Sequence, residues 1–553
     1  MATTSHQRAS HWFVDQNARH EAIDHAVAAN DFELAANQME RTWHDMDRSF
    51  QEAKWLKWVE TLPDALIRVR PVLSAQYGWA LLDTGQFKAA EPRLQDAERW
   101  LENPSRDMVV VDKREYEALP ATIAAGQAYL ALGKGDHAAT KRYVHQALDL
   151  VPDDDHFYRG VPTVTLGMAQ WAEGELNAAE DSFAAAIVHF QRADNLLFAV
   201  SGVLVLAQIK VRLGKLHEAA ATYAHALRVI AESGQPLFRS IASLHQGLSL
   251  LSCEHGNMEA APHHLNQSAE HSELAETVGR EHLQDVAAAN LAWAAGDWAA
   301  AQAHLDRAAA SYQRGRMAEY ATIDAIRCRI WLAQGELSQV REWATRLNLS
   351  PTDDLSFLRE YRHLTLVRLL IALYRRDKTR ALLQDACSLL NRLLQRARAE
   401  KRMASEIECL LLLALVEDVQ DNQQNALDHL EQTLRLAQPQ GYFQLFVHEG
   451  EPMAGLLKTA VSLNIVPDYA SHLLAAFGER ADQSPSQPLV DPLSERELEI
   501  LALSAAGLKN KEVAEKLFIS VNTVLYHTKN IYSKLSVNKR SLAIAKAREL
   551  NLI

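Results

Sequence analysis

Residues 171–180 read WAEGELNAAE, and the same figure returns along much of the chain. It stands as AVAANDFELAA at 26–36, LLDTGQFKAAE at 81–91, LALGKGDHAAT at 130–140 and VRLGKLHEAA at 211–220. Further on it is CEHGNMEAAP at 253–262, WAAGDWAAAQ at 293–302 and LAQGELSQVR at 332–341. Each copy joins the end of an apolar helix, a tight turn on Gly or Asp, and the small-residue start of a second helix. With the turn glycines taken as Gly85, Gly133, Gly174, Gly214, Gly256, Gly296 and Gly335, the spacings are 48, 41, 40, 42, 40 and 39. Chance rarely holds a period that closely. Glycine suits such a stop because it adopts the left-handed conformation that closes a helix. The alanines that follow let the second helix approach the first. Trp171, Phe183, Phe190, Trp293 and Leu305 are expected to fill the space between hairpins. One hairpin cannot bury its apolar face alone, so neighbours must stack. The fold class expected is all-α, a helical-hairpin solenoid over residues 1–480. Alternation of β-branched residues that would call for a sheet is almost absent.

Length and charge agree with this division. At 553 residues the chain is too long for one compact domain unless it is a repeat array. Its net charge of −13 argues against binding nucleic acid with the whole surface. The charge is uneven: residues 493–553 hold ten Lys/Arg and six Asp/Glu, about +4, which leaves about −17 elsewhere. An acidic body repels a phosphate backbone, so the C-terminal stretch is the plausible contact. Cys253, Cys328, Cys387 and Cys409 form no C-x-x-C pair, which suits neither zinc nor a disulfide framework and fits a reducing cytoplasm. The longest apolar run, 409–416, falls far short of the ~20 residues a membrane helix needs. The N-terminus MATTSHQRASHWF has no basic stretch leading into an apolar core, so no secretion signal is expected. The expectation is a cytoplasmic protein with no membrane partner.

Conspicuous solenoid residues are read mainly as structural. Trp171, Trp293 and Trp331 beside the turns are expected in the core rather than on a ligand. The His263–His264 pair reads as a solvated helix face, since no third ligand is spaced to join it in a metal site. Two basic runs, Arg375, Arg376, Lys378 and Arg380, then Arg392, Arg396, Arg398, Lys401 and Arg402, read as exposed. A solenoid curves and offers a concave groove, the expected seat of a small-molecule inducer or a protein partner. The segment ADQSPSQPLVDP at 481–492 carries three prolines and is expected to be a linker. If flexible, it reaches roughly 20 Å.

Residues 493–553 are expected to form four short helices. Ser494 and Glu497 make an S-x-x-E capping box before Leu498, Leu501 and Leu503, and Gly507 ends that first helix. A second helix runs from about Lys511 to Leu517 with Val513, Ala514 and Leu517 inward; Phe518-Ile519 turns, and Ser520 caps the third. At 100° per residue, Val524, Thr528, Ile531 and Leu535 fall in one stripe with Val521 at its edge. Asn522, Tyr526, Lys529 and Ser533 gather on the opposite side, flanked by Leu525 and Asn530. Such a polar, partly basic helix face suits base edges and nearby phosphates in a major groove. Thr523, Lys511, Lys534, Lys539 and Arg540 are candidates for backbone contacts that set affinity more than sequence choice. The last helix, from about Lys539 to Leu550, carries Leu542, Ala543, Ile544 and Ala547, which either close the bundle or join two copies.

The run GLKNKEVAEKLFISVNTVLYHTKNIYSKLSV resembles the LuxR-type helix-turn-helix, whose pattern is GLSNKEIAxxLxISxxTVKxHxxNIxxKLxV. The resemblance extends over about sixty residues, from Leu493-Ser494-Glu495-Arg496-Glu497 to the alanine-rich end. It implies that Leu525, Tyr526 and Lys529 stand where the family's helix meets bases or adjacent phosphates, and that the last helix supports a homodimer on two half-sites. The family usually has Lys where this chain has Leu525, which removes a charged contact. His527 matches the family's histidine and reads as structural by its place on the wheel. The opening HQRASHWFVDQNARHEAIDHAVAANDFELAA, then WVETLPDALIRVRPVL, resembles the sensor region of the large MalT-like regulators of the LuxR family, as does GYFQLFVHEGEPMAGLL at 441–457. The repeat itself resembles the tetratricopeptide superfamily, with longer helices. Those regulators carry an N-terminal ATPase module, and this chain lacks G-x-x-x-x-G-K-[ST]; Gly133-Lys134-Gly135-Asp136 is a repeat turn without a hydroxyl for magnesium. No cofactor or metal is expected. The function implied is a transcriptional regulator, an activator by family habit, with promoter DNA as partner of the tail and RNA polymerase as partner of an activator. The alternative is a tetratricopeptide-like interaction scaffold with a degenerate tail. An enzyme is disfavoured, for no nucleophile–base constellation stands out.

Overall fold

The computed structural model describes residues 2–275, 281–312, 318–483, 495–505, 508–517, 519–534, 537, 539–540, 543–544 and 547. Those residues form α-helices, from Ala2–Asp15 to Val521–Lys534, with a short 3-10 turn at Gln438–Gln440 and no strand among the described residues. They divide into two compact units, Met1–Leu473 and Leu474–Ile553. Helix Pro467–Gln483 continues past residue 480 and takes in the first three residues of the segment expected to be a linker. The physical reason is that the prolines start only at Pro485, and a proline disfavours helix at the residue before it rather than three residues earlier. Residues 484–492 of that segment lie outside the described ones.

The larger unit is the stack of hairpins, and the turn figure builds each of them. At Gly85, Gly135, Gly174, Gly214, Gly256, Gly296 and Gly335 φ is positive. After each of these glycines, the next N–H donates to the carbonyl five residues earlier, as in Glu175 to Gln170 at 2.9 Å and Asn257 to Ser252 at 2.8 Å. That bond is the Schellman closure of a helix end. One expected turn glycine moves. Gly133 lies inside helix Lys113–Lys134, and Gly135 makes the turn. The stretch offered two glycines, and register decides between them. The fifth residue after each turn glycine (Ala90, Thr140, Ala179, Ala219, Ala261, Ala301, Val340) is fully buried. Gly133 has a separate reason to be small: a Cβ there would stand 2.4 Å from the Phe87 ring. Where Asp follows the glycine it caps the second helix, Asp136 accepting from Ala139 N and Asp297 from Ala300 N, both at 2.9 Å.

Trp171, Phe183, Phe190, Trp293 and Leu305 are buried, as expected, while Trp331 is half-buried. Beyond the stacking of neighbours, the unit binds helices that are far apart in sequence. The Trp171 indole N–H donates to the Ala318 carbonyl at 2.8 Å, and its ring meets Phe357 edge-on at 5.0 Å. Phe443 N donates to the Glu254 carbonyl at 3.0 Å, across 189 residues. Three turn glycines sit at these contacts. A Cβ on Gly174 would lie 2.8 Å from Phe357 Cβ, on Gly214 2.8 Å from Met403 Cε, and on Gly256 2.5 Å from Phe443 Cδ1.

Charge follows the same route inward. Of the second basic run Arg398 and Lys401 are exposed, as expected, while Arg392 and Arg396 are half-buried and Arg402 is buried. Arg402 is fully buried against the equally buried Glu360, whose other oxygen accepts from Tyr320 at 3.0 Å. Arg392 donates to the Pro351 carbonyl at 2.8 Å, and Arg396 reaches the Leu355 carbonyl, so both tie down the 351–355 loop. Arg368 bridges Glu408 at 2.7 Å and Glu449 at 2.6 Å. Of the first run, Arg376 is exposed and pairs with Asp377. No described helix is long and apolar enough to cross a membrane.

Candidate nucleic-acid interface

The smaller unit contains helices Glu495–Ala505, Asn510–Lys516 and Val521–Lys534, and residues 540, 543, 544 and 547 are helical too. Ile500, Leu501, Val513, Ala514, Val524, Ile531, Ala543 and Ala547 form its core. The inward stripe of the third helix is therefore seated as its periodicity requires. Thr528 is half-buried, its hydroxyl returned to the Val524 carbonyl at 2.7 Å. Val521, expected at the edge of the stripe, is exposed, while Val524 in the same first turn is buried in the core. Leu535 lies outside the described residues, as do Ser494, Gly507 and Phe518.

The third helix starts where its cap dictates. Ser520 Oγ accepts from Thr523 N at 3.1 Å, and the two hydroxyls lie 2.8 Å apart. That bond occupies one of the free N–H groups of the first turn. Starting the helix at Val521 places Leu525, Tyr526 and Lys529 outward together. Leu525 is 49% exposed and Tyr526 65%, and Lys529 is exposed. Thr523 and Asn530 flank them half-buried. Asn522 and Ser533 are on the helix, but their side chains are outside the described set. Lys511 on the second helix and Lys539 before the last are exposed, as is Ser520. His527 is half-buried with its Nδ1 buried and no hydrogen-bond partner to it among the described residues. Its ring meets Tyr526 edge-on at 5.6 Å.

Two cations expected at phosphates are engaged inside the bundle. Lys534 Nζ pairs at 3.0 Å with Glu497, which is buried. Arg540 donates to the Ser504 carbonyl at 2.8 Å and also to the Leu508 carbonyl, closing the end of the first helix. The sequence carried a signal for the first of these. Glu497 lies on the inward side of its helix, and a buried carboxylate requires a cation. For Arg540, and for Arg496, whose guanidinium donates to the Leu517 carbonyl at 2.8 Å, only tertiary structure shows the partner.

The arrangement is a helix-turn-helix bundle that keeps one helix face bare, on a chain whose remainder is a helical-repeat solenoid. It defines a class: repeat proteins that end in a module of the kind that enters a DNA groove. The family described as MalT-like TPR region matches residues 121–463, and the one described as bacterial regulatory proteins, luxR family, matches 491–547. The chain belongs to this MalT-like family, with a LuxR-type domain at its C-terminal end. Among curated relatives, the HTH-type transcriptional regulator MalT of Serratia proteamaculans is 23% identical over 559 residues, covering 96% of this chain and 60% of the relative. That of Yersinia pestis is 24% identical over 558 residues with the same coverage. The chain thus spans 60% of the length of these relatives. Among solved structures, a Rap protein complexed with competence and sporulation factor superposes with a TM-score of 0.47 at 11% identity, covering 67% of this chain and 98% of that one.

Proposed function

We propose that the chain is a transcriptional regulator, an activator, that binds promoter DNA through the face made by Leu525, Tyr526 and Lys529. The observation that carries the reading is that this face is bare while Val524 and Ile531 on the opposite side of the same helix are buried in the core. Tyr526 and Lys529 reach base edges or adjacent phosphates; Lys511, Lys539, Ser520, Thr523, Asn522, Asn530 and Ser533 support the contact along the backbone. Lys534 and Arg540 act through the shape of the module. The hairpin unit, residues 1–480, senses a small-molecule inducer or a protein partner; residues 493–553 are the DNA-binding domain, and the segment between them joins the two. Two copies on two half-sites, contact with RNA polymerase and a cytoplasmic location complete the proposal. Ala543 and Ala547 face the core of their own bundle, so a dimer would use the other side of the last helix, where Ile544 is half-buried. No step of catalysis is assigned to the chain.

The test is fluorescence anisotropy of the full chain on DNA from upstream of its own coding region. Tyr526→Ala and Lys529→Ala should each cost about 1–3 kcal/mol, roughly 5- to 150-fold in affinity. Variants that bind as tightly as the parent would refute the assigned face. A second reading, an interaction scaffold with a tail that no longer grips DNA, rests on Leu525 in the place of the family's Lys. Absence of any binding at low salt would favour it.

A further inference from the structure

Three consecutive hairpins carry a polar pair at one equivalent cross-hairpin position. They are Phe238–Glu254 with Ala260–Leu274, Glu281–Ala294 with Trp298–Ala310, and Ile323–Gln334 with Leu337–Arg346. The partners are 19 residues apart each time. In the second hairpin Asp285 Oδ1 faces His304 Nδ1 at 2.8 Å; in the third the Trp343 indole N–H donates to Asp324 Oδ2 at 2.8 Å. Each of these is a carboxylate facing a ring nitrogen. The first differs, because both positions are histidine: His245 and His264 stand with their Nδ1 atoms 3.0 Å apart. More imidazoles surround them. His263 lies with its ring centre 5.6 Å from that of His264, and His271 has its ring 5.9 Å from that of His245. His271 Nδ1 meets the Gln267 carbonyl at 2.7 Å, so that nitrogen carries the proton and Nε2 keeps its lone pair. Histidines also face each other at His6–His25 and His156–His189, but no third histidine ring contacts those pairs among the described residues.

We infer that His245 and His264, with His271 beside them, form a binding site for a divalent transition ion of the zinc or nickel class. The geometry supports it quantitatively. With a metal–nitrogen bond of about 2.0–2.1 Å, two imidazoles on one tetrahedral ion have their ligating nitrogens about 3.3 Å apart and their ring centres about 5.2 Å apart. The observed separations are 3.0 Å and 5.2 Å. His271 stays on the Gln267 carbonyl as a neighbour of the pair, and solvent completes the coordination. Metal ligation needs neutral rings, and both are half-buried between the two helices. The ion would staple helix Phe238–Glu254 to Ala260–Leu274. The first of these helices ends in Glu254, whose carboxylate accepts from Phe443 N at 3.3 Å and Leu445 N at 3.1 Å. Metal occupancy would therefore stiffen the hairpin that holds the distant 443–445 segment.

The experiment uses the full chain stripped with EDTA, dialysed, and titrated with Zn2+ and separately with Ni2+ by calorimetry, with thermal melting in parallel. One ion per chain with a dissociation constant on the order of micromolar and a saturable rise in melting temperature are expected. His245→Asn and His264→Asn should each weaken binding about tenfold or more, with helical content unchanged by circular dichroism. His304→Asn, in the equivalent place one hairpin on, should leave the affinity as it was. Absence of binding below millimolar concentration would mean a hydrogen-bonded histidine pair only and would overturn the proposal. Binding that survives both substitutions, which would place the ion elsewhere, would overturn it equally.

Discussion

Replacing Gly256 with alanine separates the two jobs assigned to the turn glycines. The backbone there has φ +71°, and alanine in that region costs about 1–2 kcal/mol relative to its preferred conformation. The new Cβ would also stand 2.5 Å from Phe443 Cδ1 and 2.8 Å from its Cε1 and Cγ. Phe443 has little freedom to retreat, because its N–H is held by the Glu254 backbone carbonyl and carboxylate. Crowding of that kind typically adds about 1–3 kcal/mol. Against both stands the reduced freedom of the unfolded chain, which favours alanine by about 0.4–1 kcal/mol. The net loss expected for Gly256→Ala is about 2–4 kcal/mol. Gly296→Ala is the control, since its φ is +80° but nothing lies within 4 Å of the added carbon. It should lose only about 1 kcal/mol. Urea unfolding followed by helical circular dichroism measures both, with equal m-values as the condition for comparison. Hydrogen exchange should show lost protection at 443–447 in Gly256→Ala alone. If Gly296→Ala proves as costly as Gly256→Ala, the close approach of Phe443 is not a stabilising contact and the long-range closure argued from it fails.

Other outcomes follow from single side chains. Arg402→Met should cost about 3–5 kcal/mol by leaving the buried Glu360 charge alone, and adding Glu360→Leu should recover most of it in the same urea assay. Burial raises the Glu254 carboxyl to about 7, so the folded state holds its proton more tightly than the unfolded chain does. Stability from this group is complete below the ordinary carboxyl range and is lost as pH rises through about 7; Glu254 should account for about 3 kcal/mol of the loss over that interval, and Glu254→Gln should remove that share while leaving the share of Glu40, raised to about 7 in the same way. Arg540→Ala should unfold the small module by freeing the Ser504 and Leu508 carbonyls, whereas Lys529→Ala should keep its melting behaviour and lose only DNA affinity. Leu525→Lys should tighten DNA binding and steepen the dependence of log K on log salt by about 0.9.

The candidate interface was legible because a helix's two faces are written at a fixed angular step. Placing Val524 and Ile531 inward leaves Tyr526, Lys529 and Leu525 nowhere to go but out, and each residue's own neighbours in sequence suffice for that inference. Lys534 and Arg540 were less legible for the opposite reason. Both carry long side chains that can reach either way, and what turns them inward is a carboxylate 37 residues from Lys534 and two carbonyls at the end of another helix for Arg540. A cation's charge could be read from the sequence. The partners of Arg540 could not.

The solenoid divides along the same line. A forty-residue figure fixes each hairpin because the Schellman bond spans only five residues and the buried alanine stands five beyond the glycine. Nothing in that local grammar says that Gly174, Gly214 and Gly256 differ from Gly85, Gly296 and Gly335, yet the first three abut Phe357, Met403 and Phe443 and the others meet nothing. The difference arises from small rotations that accumulate over several stacked hairpins until distant ones touch. This changes what a groove in such a unit can be. Where the inward-facing residues Arg368, Glu408 and Glu449 are already bound to one another, a ligand that reached them would have to break or replace an existing ion pair, so affinity for it would depend on salt and on the strength of contacts such as Gly256 with Phe443. The glycine substitutions therefore bear on access as well as on stability: a loosened contact should make the interior easier to enter.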